Sequence, residues 1–242
     1  MRYCGIVASG SYVHLCALEE VREPEPPIKL DAIFYEPASP EQVAAEIRAF
    51  GDAVVGIAAP IRGPQVGEGE VEQLRVADSA LRVRGVMPAQ YTPEGRRMFQ
   101  ALANRGLFSP DAPEGATEGE VGEGSYESMP VFETNADGVF CALHGVRMPA
   151  KRHPVGVLRR IEELTDDHVL DSGGDLWHRR IEEIEAAAAA LCAHRYAVGH
   201  ACWVGNPSEG VVVLPGSRLP ESFSGQGVLP PVERVVLPDA PR

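Results

Sequence analysis

IKLDAIFYEPASPEQVAAEIRAFGDAVVGIAAP, residues 28–60, decides how this chain folds. Ile28, Leu30, Ala32 and Phe34 are apolar at every second position, which predicts a strand buried on one face. Pro37 and Pro40 end that strand. Ser39-Pro40-Glu41 supplies an N-cap and a proline for a first helical turn. Val43, Ala44, Ile47 and Phe50 then recur at helical spacing until Gly51 closes the helix. Residues 53–59 are a continuous apolar run bounded by Pro60, the pattern of a strand buried on both faces in a parallel pairing. A helix that delivers the chain into such a strand completes a β-α-β crossover.

Upstream, Cys4, Ile6, Val13, Leu15, Ala17 and Leu18 sit in apolar runs broken at Ser9-Gly10-Ser11, which predicts a hairpin. The opening is therefore three antiparallel strands, a helix and a buried parallel strand, and it assigns the chain to the α/β class with a mixed sheet. Downstream, a strand is expected over 130–132 and helices over 156–164 and 176–194. Residues 62–129 read as an insertion with helices near 71–83 and 95–107, followed by a Gly/Glu-rich loop at 111–128 with little to bury. Residues 210–215 suggest a final strand or extended flap. From 217 to 242 a proline-rich tail is expected, which sets the domain at 1–216.

The chain has 242 residues, with 22 Lys+Arg against 35 Asp+Glu and a formal charge of −13. At this length a core needs no disulfides or metals. Cys4, Cys16, Cys141, Cys192 and Cys202 are odd in number and widely spaced, with no C-x-x-C pair, so they predict core thiols in a reducing cytoplasm. No run approaches the ~20 apolar residues of a membrane span, and no export signal is read at the N-terminus. The charge repels nucleic-acid backbones at long range. Contact with nucleic acid then falls to the local pairs Arg82/Arg84, Arg96/Arg97, Lys151/Arg152, Arg159/Arg160 and Arg179/Arg180; the alternative partner is another protein.

Trp177, Ile181, Ile184, Ala188 and Leu191 form an apolar stripe on the helix expected at 176–194. His178, Glu182 and Glu185 share a neighbouring face, and carboxylates so placed suit Mg²⁺ or Mn²⁺, or simply solvent. Glu133 follows the strand at 130–132, where ligands collect in open α/β sheets. There is no H-E-x-x-H, no G-x-G-x-x-G and no P-loop.

The ordered set Gly5-Ile6-Val7, Gly56-Ile57-Ala58-Ala59-Pro60, Leu81-Arg82 with Arg84, Val131-Phe132-Glu133-Thr134, Glu183-Ile184-Glu185-Ala186, and Gly205-Asn206-Pro207 with Glu209-Gly210 resembles the family called domain of unknown function 429. That family is described as predicted nucleases of ribonuclease H-like fold. The resemblance implies a metal-dependent phosphodiesterase in which Glu133 and Glu185 are catalytic and hold Mg²⁺ or Mn²⁺. The chain departs from the family where it has Val7 and Ala58 in place of two aspartates. Neither side chain has an oxygen to give a metal. Glu182, His178 and Asp175 are the substitutes within reach in sequence. Two functions are expected accordingly: a degenerate member acting as a binding or scaffold protein, or a surviving divalent-metal nuclease.

Overall fold

The computed structural model describes residues 1–21, 27–63, 65–66, 72–107 and 130–225. Strands β1 (Arg2–Ser9), β2 (Tyr12–Val21) and β3 (Lys29–Phe34) form the antiparallel opening, with Gly10 at φ 59° turning the first hairpin. Helix α1 (Pro40–Phe50) starts in a capping box: Ser39 Oγ accepts the Gln42 N–H and Gln42 Oε1 accepts the Ser39 N–H. It leads into β4 (Ala53–Ile57), which is buried throughout and pairs parallel with β1. The crossover expected from residues 28–60 is thus present.

The two-residue strands β5 (Gln65–Val66) and β6 (Glu72–Gln73) pair with each other, and are followed by helices α2 (Val76–Val83) and α3 (Pro93–Asn104). Strand β7 (Val131–Thr134) joins β4 in parallel. Then come α4 (Ala136–His144), α5 (Pro154–Asp166), β8 (Val169–Leu170), α6 (Ile181–Ala197), β9 (Ala201–Asn206) and β10 (Gly210–Pro215). The eight-stranded sheet runs β8-β3-β2-β1-β4-β7-β10-β9, a mixed sheet flanked by helices in a ribonuclease H-like arrangement.

The two faces of the sheet carry separate cores. On one, Cys4, Ile6, Val55 and Ile57 pack with Val43 and Ile47 of α1 and Met98 and Leu102 of α3. On the other lies α6, whose Ala186–Ala190 segment has no exposed surface. A Cβ on Gly5 would stand 1.9 Å from the Ala186 carbonyl oxygen, and one on Gly56 2.7 Å from that of Ala189. Helix and sheet approach this closely because both sides of the contact are small.

Several sequence expectations are corrected. The helix over 176–194 is interrupted: Leu176–His178 is a 3₁₀ turn, and α6 begins at Ile181. Asp175 accepts the Trp177 N–H, and the extended Arg180 donates its N–H to Glu183, so the hydrogen bonds of a continuous helix are satisfied locally instead. Trp177 is 57 % exposed and does not belong to the core stripe, and His178 does not share a face with Glu182 and Glu185. Helix α4, with Asn135 capping the Gly138 N–H and Gly145 ending it at φ 75°, and strand β9 were not anticipated. Packing also continues beyond residue 216, since Leu219 and Phe223 are buried and the Phe223 N–H donates to the Arg84 carbonyl. Residues 111–128 and 226–242 lie outside the described residues.

The five cysteines are all buried and unpaired, and burial pushes the Cys4 and Cys192 thiols up to about 12. Among the described residues no helix is long and apolar enough to cross a membrane.

Candidate functional site

Val7, Ala58, Glu133 and Glu185 are the four positions at which the resemblance places carboxylates. Val7 is buried on β1, and Ala58 immediately follows β4. Beside Val7 across the hairpin stands His14, a residue the sequence reading passed over. Its neighbours in sequence, Val13 and Leu15, pack on the α1/α3 side, so the imidazole points to the α6 side. His14 is 6 % exposed, its Nδ1 has no hydrogen-bond partner among the described residues, and burial pushes its pKa down. The group across the hairpin from Val7 is therefore an imidazole that burial biases toward its neutral form.

Glu133 is buried on β7 with both oxygens engaged. Arg75 Nη1 donates to Oε2 at 2.8 Å, Arg75 Nη2 to Oε1 at 2.6 Å, and the Ile61 N–H to Oε2 at 2.9 Å. Arg75, itself buried, also spans both oxygens of Asp78 through Nε and Nη2, each at 2.9 Å. This is a two-carboxylate clamp on one guanidinium. Burial raises the Glu133 pKa, against the pull of Arg75; Arg75 is desolvated too, yet its bonds to Glu133 and Asp78 hold it more firmly protonated than usual. The segment Gln-Leu-Arg-Val-Ala-Asp leaves a readable signal only in the i,i+3 spacing of Arg75 and Asp78.

Glu185 sits in the second turn of α6. Lys151 Nζ donates to both its oxygens, at 2.8 and 3.1 Å. Burial raises its pKa and Lys151 opposes the rise. The other charges acting on it are Asp137 and Arg160, whereas Glu133 feels Arg75 and Asp78.

The strand pleat separates the two glutamates. Phe132 stacks on Tyr196 of α6 with ring centroids 4.8 Å apart, so its neighbour Glu133 projects from the opposite face, the one shared with Val131 and Ile57. The sheet lies between Glu133 and Glu185. The metal set implied by the resemblance does not fit the residues present: two positions lack oxygen, and the remaining two carboxylates are on different faces, each bonded to its own cation. Of the substitutes, His178 and Asp175 are exposed in the 3₁₀ turn, and Glu182 is half-buried. Among the described residues no three His, Cys, Asp or Glu side chains are grouped as metal ligands.

The basic pairs are also partly committed. Arg84 donates to backbone carbonyls of Ala80 and Pro220, Arg97 to Glu41, Lys151 to Glu185, Arg159 to Glu162, Arg160 to Asp137 and Arg179 to Asp171. Each pair thus has at least one member used within the fold. Comparison of the chain with family models, with curated proteins and with solved structures finds no match.

Proposed function

We propose that this chain is a ribonuclease H-like protein, a degenerate relative of the domain of unknown function 429 nucleases, that has given up metal-dependent phosphodiester chemistry and acts as a binding or scaffold protein. The observation that carries the reading is the Arg75–Glu133 pair. A two-metal hydrolase needs free, converging carboxylates, and here an arginine fills the coordination sphere of the acid at the end of β7. Val7 and Ala58 support the same reading, because no rearrangement of side chains gives either an oxygen. The commitment of one residue in every basic pair, together with the charge of −13, favours a protein partner over nucleic acid.

The test is calorimetric titration of MnCl₂ and MgCl₂ into the full chain, paired with cleavage assays on single- and double-stranded DNA and RNA. No saturable binding at millimolar metal and no cleavage is the expected result. Saturable Mn²⁺ binding abolished by both Glu133→Ala and Glu185→Ala, with metal-dependent cleavage, would overturn the proposal in favour of the nuclease.

A further inference from the structure

The sheet has two edges, and they are finished differently. Strand β8 is two residues long and is followed by Asp171, a length that offers little to an incoming strand. Strand β9 at the other edge has six residues, Ala-Cys-Trp-Val-Gly-Asn, with no charge and no proline. Its register with β10 is unbroken from Ala201↔Pro215 to Asn206↔Gly210, so no bulge turns it away. Among the described residues no strand pairs with its outer side and no backbone hydrogen bond reaches that side from elsewhere in the chain.

Helix α2 packs on this same edge strand; a Cβ on Gly205 of β9 would stand 2.8 Å from the Ala77 Cβ. Ala77 and Leu81 face inward, and Val76 and Val83, seven residues apart, share the outward face. Val76 is 46 % exposed, Val83 69 %, and Met87, just past the helix, 69 %. Together they expose on the order of 300 Å² of apolar surface, the size at which a monomer's patch is commonly functional. That is less than half of the roughly 800 Å² per partner in a standard interface. The stripe and the edge have to be used together.

We infer that β9 and α2 form a two-fold interface with a second copy of this chain, by antiparallel β9–β9 pairing that continues the sheet and lays the two α2 helices side by side. A two-fold axis needs a self-complementary surface, and both elements are one. A strand edge pairs antiparallel with itself, and the apolar stripe meets its own equivalent. The charges agree as well. Glu209 accepts the Val76 N–H at the start of α2, and exposed Arg82 lies in its last turn. Antiparallel α2 helices bring the acidic end of one to the basic end of the other, with their dipoles opposed. This inference stands apart from the loss of metal chemistry: Asp78 of the Glu133 clamp lies on α2, but it is buried against Arg75 and takes no part in the outward stripe or the β9 edge.

The test is sedimentation equilibrium of the full chain over a range of concentrations, with amide hydrogen exchange read across β9. Expected is a mass twice the 26.0 kDa of one chain, with the β9 amides losing protection on dilution into monomer. Val83→Asp with Met87→Asp, both at exposed positions, leaves the monomer folded and weakens the dimer about tenfold or more. Each copy carries −13, so raising salt, which shortens the screening length from about 30 Å at 0.01 M to about 8 Å at 0.15 M, tightens the dimer. A monomer at all concentrations overturns the inference, whether β9 exchanges freely or is protected by its own chain. So does open-ended assembly, or a dimer unaffected by the double substitution.

Discussion

Gly5 and Gly56 stand side by side on the parallel strands β1 and β4, directly beneath Ala186, Ala189 and Ala190 of α6. Neither has a positive φ, so what each position requires is space rather than an unusual backbone. Gly5→Ala forces a methyl into the helix backbone and is expected to cost about 3 kcal/mol by urea denaturation, with Gly56→Ala somewhat less because its nearest contact is longer. Gly173→Ala, whose nearest atom is 3.9 Å away on an exposed turn, is the control and should change stability by less than about 0.5 kcal/mol. Equal effects at the three positions would contradict the close approach of α6.

Arg75 is the only cation bonded to Glu133 among the described residues, and both side chains are only 2 % exposed. Arg75→Met strands the Glu133 and Asp78 carboxylates together and is expected to lose about 3–5 kcal/mol, whereas Glu133→Leu leaves Arg75 paired with Asp78 and should lose less. The double substitution should lose less than the sum of the two, since the Glu133 charge that Arg75→Met strands is then absent and only Asp78 is left without its arginine. Additive losses in the cycle would show that the two residues do not interact.

The architecture was legible where sequence patterns are local. The capping box at Ser39, the alternation of 28–34 and the uninterrupted run 53–59 each report on neighbours in the chain, and each element formed, with β3 starting one residue later, at Lys29, so that Ile28 is exposed, and β4 ending at Ile57. Helix α6 was legible in its apolar content but not in its start, because the interruption depends on Asp175 and Glu183 capping their own neighbourhood. Of the arrangement around Glu133 only the i,i+3 spacing of Arg75 and Asp78 was legible. Arg75 reaches it across 58 residues, and the pleat that sends it away from α6 depends on strand pairing with β4. Single-sequence patterns carry no record of such long-range partners.

Lys151 and Glu185 differ in exposure, 45 % against 6 % for their side chains, which decides where a substitution is felt. Lys151→Ala removes the group that restrains the Glu185 pKa, so that pKa rises further and the carboxyl becomes neutral at a higher pH. A folded pKa above the unfolded one favours the fold at low pH, and that advantage is lost as pH rises through the folded value. The Lys151→Ala protein should therefore lose more stability than the parent as pH rises from the ordinary carboxylate range upward, and Glu185→Gln should remove that difference. Titration of the side-chain carboxyl by NMR checks the direction of the shift.

His194, near the end of α6, contributes the opposite sign. Both ring nitrogens are buried without a hydrogen bond among the described residues; Nε2 lies 3.6 Å from Glu20 Oε1, and the ring meets Tyr3 edge-on at 4.8 Å. Burial pushes its pKa below the ordinary 6.5, helped by Arg195 and opposed by Glu20 and Asp167. The unfolded chain then binds a proton that the folded chain refuses. Stability is complete above about pH 6.5 and falls on acidification from there to the folded pKa, by up to about 1.4 kcal/mol per pH unit for each such histidine. His194→Phe keeps an aromatic ring against Tyr3 and removes the proton. Urea denaturation at pH 7.5 and pH 5 should show a smaller acid loss in the variant than in the parent. His14 is untouched and continues to titrate in both, so it cancels from the comparison. An unchanged acid loss would mean that His194 takes up its proton in the fold as readily as in the unfolded chain.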